Sequence, residues 1–320
     1  MTRRRAGLAM VLALVLLAGF VAASAAQTTQ PLATSGKVSV TAESVCALRA
    51  AGAKHPDPKV RNPDYLAEKF VNEAFWKQNG YDKDPGRARH SPVYFAVNAR
   101  TMHMDALLIE ALSQGATQVV NLGAGFDSRA YRFRDRFPKA RFFELDLPAT
   151  ITEKRARVVK ILGAVPDRVH LVATDFVTRP LDTVLRDAGY DRTQRTFFIW
   201  EGVTMYLPEA ANRSTLQFIR SGSASGSAVV YDYTLDRSLL PDGGGLYGAK
   251  GAAAYVASVG EPLITGWSKD QAAAFATREG LVVVSDLGPV ELTQRYLIDS
   301  DGVPDGMIGE YQRIIHLRVP

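Results

Sequence analysis

The chain carries two kinds of hydrophobic pattern in succession. From Val38 to about Gln114, apolar residues recur with helical spacing in "SVTAESVCALRAAGAKHP", "PDYLAEKFVNEAF" and "ARTMHMDALLIEALSQG". Serine and threonine precede the first stretch, as at a helix N-cap, and the last ends at Gly115, a residue type that commonly follows a helix. We therefore expect residues 38–115 to form a helical N-terminal part.

After Gly115 the pattern changes to short apolar runs separated by helical segments. The runs are "QVVNLGAG", "ARFFELD", "VHLVATD", "RTFFIWEG" and "SAVVYDYT". Two of the helical segments, "PATITEKRARVVKIL" and "PEAANRSTLQFIRS", begin with proline, which is favoured in the first helical turn. Strands that alternate with helices predict an α/β fold, a doubly wound and mostly parallel sheet whose core is residues 116–234.

The last third of the chain contains an irregular segment and then returns to regular patterns. Residues 235–267 are rich in glycine and are predicted to be an inserted, mobile lid. Residues 268–320 predict a helix near "SKDQAAAFATREG" and two strands, "LVVVSD" and "YQRIIHLRV", which we expect to pair through a long hairpin. The expected sheet thus has seven strands.

The N-terminus has the pattern of a targeting segment. "MTRRR" precedes an uncharged apolar run over residues 6–26, and small residues close that run. Residues 1–26 therefore predict a signal peptide or a membrane anchor, with residues 27–37 as a linker and residues 38–320 as one folded domain. The expected location is exported or attached to the membrane through residues 6–26, and cytoplasmic if the leader is ineffective.

Composition and charge exclude several classes of protein. The chain has 320 residues, 47% hydrophobic and 22% charged, which is typical of a globular domain. Three arginines at positions 3–5 account for much of the net charge of +5. The sequence has no basic stripe with interleaved aromatic residues, so nucleic-acid binding is not expected. Cys46 is the single cysteine, and the five histidines lack zinc-ligand spacing, so neither an intramolecular disulfide nor a metal site is expected.

Candidate chemistry lies where the predicted parallel strands end. Each of the five strands ends in a small or acidic residue; these are Gly123, Asp146, Asp175, Glu201 and Asp232. In an open parallel sheet, ligands bind outside the carboxyl ends of the strands. The five strand ends therefore predict one shared binding crevice.

The stretch "VVNLGAGFDSRAYRF" indicates what the crevice binds. Gly123 and Gly125 allow a sharp turn and a close approach of backbone to ligand. Asp146 follows about 20 residues later, with Glu144 beside it, at the spacing at which a carboxylate commonly binds ribose hydroxyls. A nucleoside is the expected ligand, with a tight turn that binds nothing as the alternative. Ser128 replaces the third glycine of a dinucleotide fingerprint, which disfavours NAD.

Six segments in order carry a resemblance to a known family. They are "TAESVCALRA", "ARTMHMD", "VVNLGAGFDSRAYRF", "FFELDLPATITEKRARV", "VATDF" and "WEGVTMYLP". Together they resemble class I S-adenosylmethionine-dependent methyltransferases with a Rossmann-like sheet, specifically the leucine carboxyl methyltransferase family and its bacterial relatives. The resemblance is strong from Val38 to Ser221 and weaker beyond.

The resemblance implies S-adenosyl-L-methionine as the cofactor and assigns roles to residues near the first two strand ends. Gly123 and Gly125 would pass beneath its methionine part. Asp146 would bind the ribose, with Glu144 as a second candidate. Asp146 also has a structural alternative, as the cap of the helix that opens at Pro148.

Four further residues receive roles from the same resemblance. Asp175 and Phe176 would contact the adenine, Glu201 would lie near the methionine end, and Arg100 would bind the cofactor carboxylate with its guanidinium fork. Each of the three charged residues has a structural alternative: Asp175 in a turn, Glu201 paired with a structural arginine, and Arg100 on a helix surface.

The resemblance also implies a reaction, the methylation of a carboxylate on a small molecule or peptide. A carboxylate is already ionised at neutral pH, so no general base is expected and no catalytic residue is assigned. A NAD(P)-dependent oxidoreductase and an exported, non-catalytic binding module of the same fold remain as alternatives. Export would separate the enzyme from a cytoplasmic pool of its donor, so the leader and the implied reaction conflict.

Overall fold

The computed structural model describes residues 36–175 and 178–320. The helices there are α1 Val40–Ala53, α2 Ala67–Phe70, α3 Glu73–Gln78, α4 Pro92–Ser113, α5 Arg129–Arg132, α6 Pro148–Leu162, α7 Leu181–Asp187, α8 Glu209–Ser221, α9 Ala249–Ser258, α10 Lys269–Arg278 and α11 Pro289–Tyr296. The strands are β1 Gln118–Leu122, β2 Arg141–Asp146, β3 Val169–Ala173, β4 Thr196–Trp200, β5 Ala228–Thr234, β6 Val282–Leu287 and β7 Gln312–Arg318. Short 3-10 helices span Pro85–His90, Thr204–Tyr206, Asp236–Leu239 and Gly243–Gly245.

Local sequence explains where the main helices begin. The Ser39 side chain accepts a hydrogen bond from the Ala42 N–H at the start of α1, and Ser91 does the same for Val93 at the start of α4. Such caps satisfy backbone donors that a helix start leaves unpaired. Ser268 and Gln271 form a reciprocal capping box at α10.

The seven strands form one sheet in the order β3-β2-β1-β4-β5-β7-β6. Strands β1 to β5 are parallel, while β7 runs antiparallel to both of its neighbours, β5 and β6. The strand order reverses between β1 and β4, and such a switch point opens a crevice at the carboxyl edge of the sheet. The predicted fold class, a doubly wound and mostly parallel α/β sheet, is confirmed.

Alternate residues of the central strands pack on opposite faces of the sheet. Phe142 and Phe197 belong to the cluster packed with α1 and α4, whereas Phe143 and Phe198 belong to the cluster packed with α7, α8 and α10. All five residues of β1 and of β4 are buried. Strands covered on both faces are largely apolar, which is why these runs were recognisable in the sequence.

The structure differs from the sequence expectations in several connections. The stretch predicted as one helix around Tyr65–Phe75 forms two short helices, α2 and α3, and residues 235–267 contain a regular helix, α9. Helices α5, α7 and α11 were not anticipated, and α11 lies inside the connection between β6 and β7 that was expected to be a hairpin. Their apolar patterns are too short to separate from turns.

The predicted leader, residues 1–26, lies outside the described residues, so its prediction stays a prediction. Across residues 36–175 and 178–320, none of the helices combines the length and the apolar character that a membrane-spanning helix needs.

Candidate active site

The five predicted strand ends lie along one edge of the sheet. Because β3, β2, β1, β4 and β5 are adjacent and parallel, the residues that follow them reach the same edge. Gly123, Asp175 and Glu201 come after β1, β3 and β4, whereas Asp146 is the last residue of β2 and Asp232 lies within β5, two residues before its end.

The loop after β1 is held tightly against β2. The N–H groups of Gly123 and Ala124 both donate to the Leu145 carbonyl at 2.9 Å. Gly123 has φ +75°, and a Cβ at this position would overlap Cγ2 of Val203, so the loop conformation requires glycine. The loop therefore brings bare backbone to the carboxyl edge of the sheet, as a cofactor cradle needs.

Asp146 joins this loop to the next helix. Its Oδ2 accepts the Gly125 N–H and its Oδ1 accepts the Leu147 N–H, both at 2.7 Å. Burial raises the pKa of Asp146, and the two backbone donors oppose that shift. Each carboxylate oxygen keeps a second acceptor position, so Asp146 can hold the Gly125 and Leu147 N–H groups and still bind a ribose hydroxyl.

Glu144 is placed differently from what the sequence suggested. Its side chain is 1% exposed; Oε1 accepts from Lys154 Nζ at 2.8 Å and Oε2 accepts from the Tyr131 hydroxyl at 2.6 Å. Because Glu144 is almost fully buried, whereas Asp146 is half-buried, a ligand cannot reach it and its carboxylate serves charge pairing in the core. The prediction of Glu144 as a second ribose ligand is therefore corrected, and Asp146 stays the predicted ribose ligand.

The loop after β3 is described only in part. Asp175 is half-buried, and its carbonyl accepts the N–H groups of Thr178 and Arg179, at 3.2 and 3.0 Å. Phe176 lies outside the described residues. The predicted adenine contacts of both residues stay predictions.

Glu201 and Arg100 form the centre of the edge. Arg100 Nε donates to Glu201 Oε1 at 2.9 Å, and Arg100 Nη1 donates to Asp232 Oδ2 at 2.5 Å. Arg129 Nη1 donates to the other oxygen of Glu201 at 2.7 Å. Burial acts against ionisation of Glu201, but these two guanidiniums hold its pKa below the usual range. Arg100 Nη2 makes no hydrogen bond with the described residues.

These residues belong to a larger buried ion-pair network. Its arginines are Arg49, Arg100, Arg129 and Arg132, and its acids are Asp64, Asp105, Asp127, Glu201 and Asp232. The sequence did not reveal Arg129, Asp105, Asp64 or Arg132 as site residues. The "FDSR" segment after the glycine loop was the available signal, because it supplies both Asp127 and Arg129.

A cavity of about 530 Å³ opens beside this network. At the sheet edge it is lined by Arg100, Gly202 and Thr234, and further out by α1, the start of α4 and α9. Five tyrosines contribute to the lining; these are Tyr81, Tyr206, Tyr247, Tyr255 and Tyr311. Its size lies within the range of about 300–1,000 Å³ typical of small-molecule sites.

The inserted segment is attached to the first helix above the cavity. Glu261, which follows α9, accepts hydrogen bonds from the backbone N–H of Val40 at 3.2 Å and from the hydroxyl of Thr41. A carboxylate at a helix N-terminus is favoured by unpaired N–H groups and by the helix dipole. The insertion therefore forms a wall of the cavity.

Comparison with known proteins identifies the family. The model of the leucine carboxyl methyltransferase family matches residues 42–220. The chain belongs to the leucine carboxyl methyltransferase family. The match covers the glycine loop, Asp146 and Glu201, but not the last three strands, β5 to β7, or the insertion.

Relatives in several bacteria agree with the family assignment. A Streptomyces coelicolor protein named as an S-adenosyl-L-methionine-dependent methyltransferase is 36% identical over 191 residues, covering 58% of this chain and 66% of its own length. A Mycolicibacterium smegmatis protein of the same description is 33% identical over 223 residues, covering 68% and 73%. Among solved structures, a Galdieria sulphuraria protein described as a sarcosine dimethylglycine methyltransferase matches with TM-score 0.46 and 12% identity, over 69% of this chain and 87% of its own.

These matches confirm the family, the enzyme class and S-adenosyl-L-methionine as the cofactor. They do not favour a NAD(P)-dependent oxidoreductase or a non-catalytic binding module. The methyl acceptor and the individual cofactor contacts remain predictions.

Proposed function

We propose that this member of the family transfers a methyl group from S-adenosyl-L-methionine to a carboxylate on a small molecule or peptide. The product is a methyl ester, and no general base takes part. Family membership supports the donor, and the cavity lining supports the class of acceptor.

The residues at the sheet edge fit the donor. The backbone at Gly123 and Gly125 can lie against its methionine part, Asp146 offers two acceptor positions to the ribose, and Arg100 Nη2 is available to a carboxylate. When bound, S-adenosyl-L-methionine supplies a methyl group on a sulfonium sulfur, which a nucleophile displaces in line. The protein contributes orientation, which can be worth about 7–11 kcal/mol of the barrier.

The charge balance of the network also suits a cationic donor. Its five carboxylates exceed its four arginines by one negative charge. Glu201 and Asp232, the acids nearest the cavity, share Arg100 between them. An excess of fixed carboxylate charge at a partly desolvated edge attracts a cation such as a sulfonium.

One observation carries the choice of a carboxylate acceptor, namely that the described lining of the cavity contains no aspartate, glutamate or lysine. Its only imidazole belongs to the exposed His90, on the 3-10 turn before α4. A phenol or an amine would have to lose a proton to react, whereas a carboxylate is ionised at neutral pH.

The proposal is tested by incubating the purified protein with methyl-labelled donor and a cell extract, followed by mild base. Label released as methanol indicates a methyl ester, as the proposal requires. Label that survives base would mean transfer to nitrogen, carbon or a phenol, and would contradict the carboxylate. If calorimetry detected no binding of either S-adenosylmethionine or S-adenosylhomocysteine, the donor itself would be excluded.

A further inference from the structure

The cavity beside the ion-pair network is graded from a buried inner end to an open mouth. Tyr311 is 4% exposed and lies at the inner end with Arg100, whereas Tyr247 and Tyr255 are 45% and 42% exposed at the mouth. The wall is mixed: its apolar side chains include Val45, Leu48, Val97, Met205, Val256 and Leu263, and its uncharged polar side chains include Thr41, Ser44, Asn79, Ser91 and Gln312. Arg100 is the only lysine or arginine in the described lining.

The tyrosine hydroxyls of this cavity are available to a guest. Within the described part of the chain, none of the five hydroxyls forms a hydrogen bond; elsewhere in the core Tyr131, Tyr190 and Tyr233 each have a partner and Tyr231 has none. Tyr206 and Tyr311 both line the cavity beside Arg100, so their hydroxyls can bond to a polar group of a ligand there.

Those two hydroxyls are suited to donate rather than to accept a proton. Burial raises the pKa of Tyr206 well above its usual range, and the nearby carboxylates of Glu261 and Asp232 raise it further. Burial raises the pKa of Tyr311 in the same way. Both phenols stay protonated at neutral pH, so each can give one hydrogen bond to an oxygen of the guest.

One face of α9 forms the outer wall. The lining residues Gly248, Gly251, Ala252, Tyr255 and Val256 follow the i, i+3, i+4, i+7, i+8 spacing of a single helical face. Ala254, two residues from Ala252, points about 200° away and does not line the cavity. The helix thus offers matched positions inside and outside the cavity.

We propose that the cavity binds a small monocarboxylic acid with an apolar, ring-sized body, whose carboxylate is held by the hydroxyls of Tyr206 and Tyr311. This inference rests on the proposed methyl transfer and names its acceptor class. A carboxylate oxygen forms the new C–O bond, the electron pair of the broken C–S bond stays on sulfur, and no proton moves.

The first experiment compares acceptors on the full chain with methyl-labelled donor. We expect phenylacetate and naphthylacetate to give base-labile esters with kcat/KM at least tenfold above that of acetate, and phenylethanol and p-cresol to remain unlabelled. Label in a pentapeptide with a free C-terminus but in neither aryl acid would overturn the inference and leave the methyl transfer standing. Equal rates for acetate and phenylacetate would overturn it as well, as would failure of the aryl acids to bind.

The second experiment removes single groups from the wall. We expect Tyr206→Phe and Tyr311→Phe to raise KM for the aryl acid about tenfold, with kcat within about threefold and donor affinity unchanged, as for loss of a hydrogen bond to a charged group. Tyr190→Phe, which removes a hydroxyl bonded to Thr196 in the core, is the matched control. Unchanged KM in both cavity variants would refute the assigned contacts.

Pocket size gives an independent readout. Ala252→Phe should exclude naphthylacetate more strongly than phenylacetate, while Ala254→Phe on the opposite face of α9 leaves both rates unchanged. Calorimetry of donor binding separates failure of the acceptor inference from failure of the proposed methyl transfer. If the unmodified protein did not bind the donor, the methyl transfer itself would be refuted. If Ala252→Phe and Ala254→Phe behaved alike, the cavity would not be the acceptor site.

Discussion

Gly125 donates its backbone N–H to Oδ2 of Asp146 at 2.7 Å, so the glycine loop after β1 and the acid at the end of β2 form one unit. The other oxygen of Asp146 holds the N–H of Leu147 at the start of α6. A single carboxylate thus holds both the glycine loop and Leu147, the N-cap residue of α6, at the edge where the cofactor is expected.

Asp146→Asn should separate these roles. The amide keeps one acceptor oxygen but turns its NH₂ toward the other backbone donor, so we expect the free energy of unfolding to fall by about 1–3 kcal/mol. We expect affinity for S-adenosylmethionine to fall at least tenfold, because one ribose acceptor is lost. Urea unfolding without ligand and calorimetry with ligand measure the two effects.

The control for this substitution is Asp135→Asn, at a side chain that is 88% exposed, which should alter neither quantity. If Asp146→Asn lost stability but kept full affinity for the donor, Asp146 would be a structural cap and nothing more.

Gly123 and Val203 provide a second test of the cradle. Alanine at 123 would hold a left-handed φ of +75°, at a cost of about 1–2 kcal/mol, and its Cβ would also overlap Val203. In Gly123→Ala/Val203→Ala the overlap disappears and the backbone cost remains. We expect the double variant to be more stable than the sum of the single variants predicts, by about 1 kcal/mol. Additive losses in urea unfolding would show that the overlap is relieved elsewhere.

Particular residues show how far sequence could lead. The strands β1, β2, β4 and β5 were predictable because strands buried on both faces are largely apolar and each of these has a small or acidic residue at or near its carboxyl end. Arg129 could not be predicted as a site residue, because its partner Asp105 is 24 positions away on another helix and only tertiary packing brings the two together. Glu144 looked like a ligand by spacing, and only the structure shows Lys154 and Tyr131 on its oxygens.

The tyrosines of the cavity illustrate the same limit. Tyr206 and Tyr311 are more than a hundred positions apart in the chain. Tyr206 lies in the family segment "WEGVTMYLP", but nothing in that segment assigns its hydroxyl a role, and Tyr311 has no such context. Their common feature, an unpaired hydroxyl at one cavity, depends on how the 3-10 turn after β4 meets the segment before β7.

Glu201 tests the importance of the buried ion pairs. Glu201→Gln removes the charge that Arg100 and Arg129 share, while Asp232 and Asp105 remain on the two guanidiniums. Removing one partner of a buried ion pair typically lowers the free energy of unfolding by about 3–5 kcal/mol. Because the remaining acids still pair with both arginines, we expect a loss near the lower end of that range. Glu209→Gln, whose pair with Arg213 is largely exposed, should change little in the same urea titration. Similar stabilities for the two variants would contradict the importance assigned to the network.

His103 predicts a pH dependence that does not involve the active site. Its side chain is 3% exposed on α4, Nδ1 is hydrogen-bonded to the Tyr296 hydroxyl at 2.9 Å, and Nε2 has no partner in the described part of the chain. Burial, with smaller effects from Arg295 and His316, lowers its pKa from 6.5 to about 4. The folded state thus binds a proton less readily than the unfolded state.

The direction of the effect follows from proton linkage. Between pH 6.5 and about 4 the unfolded chain carries a proton on His103 that the folded chain does not, so stability contributed by the neutral imidazole is present above pH 6.5 and lost as the pH falls toward 4. The full loss is about 3 kcal/mol.

His103→Gln tests this pH dependence, because glutamine cannot titrate but can still form a hydrogen bond with Tyr296. The variant should remove the contribution of His103 to the slope of unfolding free energy against pH between pH 7 and 4.5, measured by urea unfolding. Because His170 and His316 also have lowered pKa values, a residual slope should persist in His103→Gln and should shrink further in the His103→Gln/His316→Gln double variant. An unchanged slope in His103→Gln would mean that folding does not lower the pKa of His103.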